Sequence, residues 1–208
     1  MSTSRLDNFT DAAFAFGVTL LVIGGSEAPT SYAMLAEAVA GVPAFAIGFA
    51  AILMFWFAHV RWRRFRGEGD WLSSLLTVLL IFLVLVYIHP LQAMARSWAT
   101  FMGGAGTPFD GDVGDLFFVY GAGFVAMAAT TAALFREAQR NPALSRVERR
   151  GVSGEMRIWL ILTLTGLVSI MLASFQATGR IAPLAYATLP ISIGLFVWRY
   201  DWEGKQGQ

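Results

Sequence analysis

Residues 71–91 read WLSSLLTVLLIFLVLVYIHPL, a stretch with no Asp, Glu, Lys or Arg. Residues 39–60, VAGVPAFAIGFAAILMFWFAHV, are equally free of those four residue types. An α-helix needs about 20 consecutive apolar residues to cross the hydrocarbon core of a bilayer. Both stretches therefore predict transmembrane helices, and further apolar stretches lie on either side of them.

The composition of the whole chain agrees with a membrane protein. Its 208 residues are 56% hydrophobic and 14% charged, with a mean hydropathy of +0.59. Soluble domains run near 45–50% apolar and about 25% charged, so little of this chain remains for a soluble domain. We predict an all-α integral membrane protein with a single six-span domain over residues 1–208. The predicted spans lie at about 9–24, 40–60, 71–93, 115–135, 156–176 and 180–198.

Positive charge is distributed unevenly among the predicted loops. Arginines concentrate after the second span, at residues 61–66, and around the loop between the fourth and fifth spans, at residues 136–157. Because cytoplasmic loops are enriched in Lys and Arg, we predict a multi-pass protein of the cell membrane with both termini cytoplasmic. The alternative for the first span is a signal peptide, since Arg5 precedes an apolar run, but Asp11 within that run disfavours it.

Several classes of function are excluded by what the sequence lacks. The chain has no cysteine, which rules out disulfides, thiol catalysis and cysteine-based metal sites. It has no TVGYG filter, no arginine-rich voltage sensor, and no nucleophile or phosphate-loop pattern. No basic run interleaved with aromatic residues suggests nucleic-acid binding. We therefore expect no enzymatic activity, no cofactor, no metal site and no nucleic-acid partner.

The first predicted span carries both charge and an apolar stripe. Asp11 is costly within a membrane unless it finds a partner, which makes it a candidate for direct ion contact. The alternative is a structural role near the helix N-terminus. Phe16, Leu20 and Ile23 stand at i, i+4 and i+7 and share one helical face, with Thr19 beside them. Periodicity alone favours contact with lipid or protein core for this stripe.

Two motifs resemble a known family. Arg5-x-x-x-Phe9-Thr10-Asp11, followed by the run AAFAFGVTLLVI, resembles the first-helix signature Arg-x-x-x-Phe-Ser-Asp of the transmembrane protein 175 family. Its members are potassium-selective channels of endolysosomes, with six-span homologues in prokaryotes. Residues 55–59, FWFAH, are followed by arginines and resemble the Phe-Trp-x-x-His ending of the family's second helix.

This resemblance implies a homotetramer of six-span chains in the lipid bilayer, with the first helix of each subunit lining a central pore. It implies passive flux of K⁺, or of monovalent cations more broadly, past a hydrophobic constriction. The implied constriction residues are Phe16, Thr19, Leu20 and Ile23. Phe16 departs from the family pattern, which has a smaller aliphatic residue there. Thr10 replaces the family's serine and keeps the hydroxyl.

A polar cluster is predicted at the cytoplasmic ends of the first three spans. The order of the spans places at this level Arg5, Thr10, Asp11, His59 and Trp71. A hydrogen-bonded network there would satisfy Asp11 and support the pore helix, as the resemblance also implies. The other histidine, His89, falls near the outer end of the third span, about a membrane thickness away. A metal site or proton relay shared by the two histidines is therefore not expected.

The leading hypothesis is a potassium-permeable channel, and two alternatives stay open. A proton- or ion-coupled transporter needs ionisable groups near the bilayer midplane and usually has internal repeats, and neither is evident. A non-conducting membrane scaffold is the other alternative, because a ring of Phe16 side chains is large enough to close a narrow pore.

Overall fold

The computed structural model describes residues 3–23, 28–67, 70–102, 113–175 and 177–200. These residues form helices joined by short connections, and no strand occurs among them. The helices in chain order are α1 (Thr3–Ile23), α2 (Tyr32–Ala40), α3 (Val42–Arg66), α4 (Trp71–Met102), α5 (Val113–Ala138), α6 (Arg146–Ala173), a 3₁₀ turn (Gly179–Ile181), α7 (Leu184–Ala187) and α8 (Leu189–Arg199).

Four helices of the described part of the chain are long and apolar enough to cross a membrane. Their apolar spans are Phe45–Arg66, Trp71–Met94, Gly114–Ala138 and Arg146–Ala173. α1 has 21 residues, which is also the length of a crossing, but its first half contains Arg5, Asp7 and Asp11. The predicted all-α, multi-pass membrane architecture is confirmed by these helices.

The sixth predicted span, at about 180–198, is not one continuous helix. The structure divides this region into the 3₁₀ turn, α7 and α8. Pro183 is the N-cap of α7, and Pro190 lies in the first turn of α8. Proline has no backbone N–H to donate within a helix and is tolerated at a helix start. Each proline therefore marks the beginning of a new helical piece.

Polar caps set the beginnings of two of the long helices. α6 starts at Arg146, well before the predicted position near 156, because Ser145 and Glu148 form a capping box. The backbone N–H of Glu148 donates to Ser145 Oγ at 3.2 Å, and that of Ser145 donates to Glu148 Oε2 at 2.9 Å. In the first turn of α4, the backbone N–H of Ser73 donates to Oδ1 of Asp70, the residue just before the helix, at 2.9 Å. This bond holds the pKa of the Asp70 carboxyl below its ordinary value.

α5 packs most extensively, against α6 on one side and α4 on the other. Its Gly- and Ala-rich sequence predicts such close approach, since small residues let membrane helices come together. A Cβ at Gly123 of α5 would lie 2.5 Å from Cδ2 of Tyr87 on α4. A Cβ at Gly166 of α6 would lie 2.6 Å from Cγ2 of Val125 on α5. Both contacts require glycine, and they bring α4, α5 and α6 together in one closely packed unit.

Side-chain contacts bring the two arginine clusters to one end of the bundle. Asn141, after α5, donates from Nδ2 to the Phe65 carbonyl of α3 at 2.8 Å. Tyr200, after α8, donates from its hydroxyl to the Arg150 carbonyl of α6 at 2.8 Å. Arg61 of α3 forms an ion pair of 2.9 Å with a carboxylate of α6. We call this the arginine-rich end, and its arginines include Arg61, Arg63, Arg64, Arg66, Arg140, Arg146, Arg149 and Arg150.

We predict that Gly123→Ala destabilises the protein. Its new methyl group overlaps the Tyr87 ring, and overpacking of this kind costs about 1–3 kcal/mol. The melting temperature of the purified protein in detergent should fall accordingly. Gly151→Ala is the matched control, because a Cβ at Gly151 meets nothing within 4 Å. Equal melting temperatures for the two variants would contradict the close contact at Gly123.

Candidate functional site

α1 lies at the edge of the bundle and packs on α3 and α4. The residues that it buries are Thr10, Phe14, Gly17 and Leu21, spaced at helical period. Contact is close along this face: a Cβ at Gly17 would lie 3.4 Å from Cδ1 of Ile88 on α4. A row on the opposite face is exposed and includes Phe9, Ala12, Phe16 and Thr19. About half of the α1 circumference is therefore left uncovered by the other helices that the structure describes.

The predicted constriction residues fall at different places around α1. Phe16 is 56% exposed, and Thr19 is exposed beside it. The Thr19 hydroxyl donates to the Ala15 carbonyl one turn earlier at 3.0 Å. Leu20 is half-buried and packs against the hydrophobic core of the bundle. The side chain of Ile23 lies outside the described residues. Phe16 and Thr19 thus share the bare face, and Leu20 lies at its edge.

Two carboxylates one turn apart attach the first half of α1 to α3. Nε1 of Trp56 donates to Asp11 Oδ1 at 2.8 Å. Nε of Arg63 donates to both carboxylate oxygens of Asp7, at 2.8 and 3.0 Å. Asp7 and Asp11 stand at i and i+4 and so project from the same side of the helix. These bonds fix the rotation of α1 about its own axis relative to α3.

His59 connects α3 to α4 just behind these pairs. Its side chain is buried, and its Nε2 lies 3.4 Å from Oγ1 of Thr77. The Thr77 hydroxyl already donates to the Ser73 carbonyl at 2.9 Å. A hydroxyl has one proton to donate, so it accepts from His59. In this contact the Nε2 nitrogen of His59 carries a proton.

The residues predicted for the supporting network are brought together only in part. Asp11 and His59 line one cleft of about 410 Å³. Thr10 is completely buried, but its hydroxyl donates within α1, to the Leu6 carbonyl at 2.8 Å. Arg5 is exposed. Trp71, at the very start of α4, is 76% exposed, and its side chain makes no hydrogen bond within the described residues. The remaining residues of the cleft are Asp7, Val60, Arg63, Arg64 and Gly67.

Sequence reasoning missed the partners that make the network, namely Trp56, Asp7, Arg63 and Thr77. The sequence contained a signal for one of them, because Asp7 stands one helical turn before Asp11 and so lies on the same side of the helix. Within the described residues, no group of three or more His, Asp or Glu side chains is arranged to hold a metal ion. The hydrogen bonds and the ion pair of this cluster are suited to anchoring a helix.

We predict that Trp56→Phe weakens the attachment of α1. The substitution keeps an aromatic ring but removes the N–H that Asp11 accepts, a loss of about 1 kcal/mol for one hydrogen bond. The melting temperature in detergent should fall. Trp71→Phe is the matched control and should leave that temperature unchanged, because Trp71 is exposed. An equal effect of both substitutions would remove the evidence that the Asp11 bond anchors α1.

Comparison with known proteins finds sequence similarity in the first part of the chain. Residues 5–90 match the family described as endosomal/lysosomal potassium channel TMEM175. A protein of Marivirga tractuosa named potassium channel is 36% identical over 101 residues, which make up 49% of this chain and 40% of that protein. The chain thus spans less than half the length of this relative.

The fold is shared with a solved structure over nearly the whole chain. That structure is of a variant of the potassium channel MtTMEM175 in complex with a nanobody–MBP fusion protein. The match has a TM-score of 0.79 and 24% sequence identity, and covers 92% of this chain and 90% of the other. The family match takes in all of α1 from Arg5, both motifs and the apolar part of α4 as far as Pro90. The first part of this multi-pass membrane protein, residues 5–90, is therefore similar to the TMEM175 family.

Proposed function

We propose that the chain is one subunit of a homotetrameric, potassium-permeable cation channel whose pore is lined by α1. The observation that carries the proposal is the division of α1 into two faces. One face is fixed to α3 and α4, and the other, with Phe16 and Thr19, is bare along the helix. A pore helix needs this division, since it must be held rigidly and still present side chains to an axis. The similarity to relatives named potassium channels supports the choice of ion.

The proposed arrangement in the membrane has six crossings, with α1 as the first and the α7–α8 region as the last. The contacts at the arginine-rich end support it, because they place the N-terminal half of α1 and the end of α8 on the same side. The positive-inside rule assigns that side to the cytoplasm of a cell membrane. Both described chain ends are then cytoplasmic.

In this channel the narrow region is a hydrophobic neck formed by Phe16, Thr19, Leu20 and Ile23 of each subunit. A cation passes such a neck with most of its hydration shell removed, and apolar constrictions of this kind gate by dewetting. The hydroxyl of Thr19 is the one polar side chain in the set. Phe16 is the largest, so its ring sets the width of the neck. A small outward movement or rotation of α1 would open it.

Passive flux is favoured over coupled transport by the position of the ionisable groups. Asp7, Asp11 and His59 all lie towards the arginine-rich end, in the cleft between α1 and α3. A coupled transporter places its titratable groups near the bilayer midplane, where the bound ion is carried across. Residues 12–23, which form the rest of α1 after Asp11, include no ionisable residue.

We predict that Phe16→Ala increases potassium efflux from liposomes that contain the purified protein. Removal of the ring widens the neck and lowers the cost of wetting it. The measurement is ion efflux from potassium-loaded and, in parallel, sodium-loaded vesicles. Phe82→Ala is the matched control, because Phe82 is 61% exposed but belongs to α4. It should conduct like the native protein.

Unchanged flux in Phe16→Ala, with the tetramer shown to be intact, would contradict a neck at this position. Absence of potassium flux in the native protein and in both variants would contradict the channel itself. A non-conducting scaffold with the same fold would then be the better account.

A further inference from the structure

Among the residues that the structure describes, the far end of α1, away from the arginine-rich end, is attached to α4 by one side-chain hydrogen bond. Nε2 of Gln92 donates to the backbone carbonyl of Leu20 at 2.8 Å, in a partly buried position. The two residues are 72 positions apart in sequence. The bond therefore joins two helices and contributes nothing to the local structure of either.

Gln92 reaches α1 at its backbone and not at a side chain. The accepting carbonyl belongs to Leu20, one of the residues of the proposed constriction. A carbonyl oxygen has two lone pairs, so it can accept a second hydrogen bond beside the one within its own helix. The side-chain amide of Gln92 is therefore placed to hold the backbone of α1 at the level of the constriction.

The surrounding contacts make this bond sensitive to the position of α1. Gln92 stands one turn beyond Ile88, the residue in contact with Gly17 of α1. Pro90 lies between them and cannot donate to the Val86 carbonyl, so α4 is locally less constrained there. A rotation or sliding of α1 by a fraction of a turn would break the bond to Gln92.

We propose that Gln92 is a positioning residue for the pore helix: its amide fixes the rotation and height of the last turn of α1, and with it the constriction. This rests on the proposed channel function. Gln92 acts through the backbone of Leu20 and does not touch the ion. The anchors at Asp7 and Asp11 hold one end of α1, and Gln92 holds the other.

The first test compares Gln92→Leu and Gln92→Glu with the native protein in the liposome efflux assay. Gln92→Leu keeps the approximate volume and cannot donate, so potassium flux should change by roughly two- to tenfold, the equivalent of one hydrogen bond. A protonated Glu can still donate to the Leu20 carbonyl, whereas the carboxylate cannot. The flux of Gln92→Glu should therefore be native-like at low pH and approach that of Gln92→Leu as the carboxyl, ordinarily of pKa about 4.3, ionises.

The ionisable groups on the elements that meet at this part of α4 lie on α4 itself and on α5. His89 and Arg96 lie within about one turn of Gln92 on α4, and the first turns of α5, which packs on α4, carry Asp115 and Tyr120. Residues 42–55 of α3 and residues 20–23 of α1 have none. Ala93→Glu adds the same carboxyl about 100° further around the helix and controls for charge alone. Fluxes are expressed relative to the native protein at each pH, which removes the titration of the other groups.

Gln92→Leu that conducts like the native protein at every pH would overturn the proposal, as would an identical pH profile for Ala93→Glu and Gln92→Glu. Amide hydrogen exchange gives a readout that does not depend on conduction. Exchange in the last turn of α1 should be roughly two- to tenfold faster in Gln92→Leu than in the native protein. If the native protein passes no ion but this difference is present, the channel proposal fails and the positioning role stands. If the exchange is unchanged, the positioning role fails by itself.

Discussion

The pairing of the acidic residues near the start of α1 organises the structure around this helix. Asp7 and Asp11 precede an uninterrupted apolar run in the same helix, and an unpaired carboxylate there is costly. Both find partners on α3, in Arg63 and Trp56. Because these bonds attach one side of α1 to α3, they fix the rotation of α1 about its own axis. Thr10, Phe14, Gly17 and Leu21 face the bundle, and Phe16 faces away from it.

α3 connects α1 to the rest of the molecule. Phe55 points into the core, with its ring centroid 5.1 Å from that of Trp159 on α6 and 6.0 Å from that of Phe124 on α5. The next residue, Trp56, bonds to α1, and His59 one turn later contacts α4. A single stretch of α3 is therefore fixed to four other helices. α4, α5 and α6 are themselves packed closely together through their glycine contacts. α3 is therefore fixed to a rigid unit.

How much could be predicted depended on whether the signal was local. The capping box of Ser145 and Glu148 is a local pattern that was available in the sequence, and it moved the start of α6 by about three turns relative to the predicted span. Pro183 and Pro190 were equally visible, and they divide the last predicted span. The partner of Asp11 could not be identified from a local pattern. Seven tryptophans occur in the chain, and each of them could be explained as an interfacial aromatic residue. Nothing in the linear order distinguishes Trp56, which bonds to Asp11, from Trp71, which is exposed.

The sequence by itself determined that this chain is an all-helical membrane protein, where its apolar helices lie, and that α1 combines an acidic start with an apolar stripe. Hydropathy, helical period and capping depend on neighbouring residues, so they can be read along the chain. Only the tertiary structure decided which face of α1 stays bare, placing Phe16 and Thr19 on it and Leu20 at its edge. It also decided that Trp56, Arg63 and Gln92 hold that helix. Those choices depend on how helices distant in sequence meet, because a hydrogen bond requires two atoms within about 3 Å and no spacing rule reaches across 45 or 72 residues.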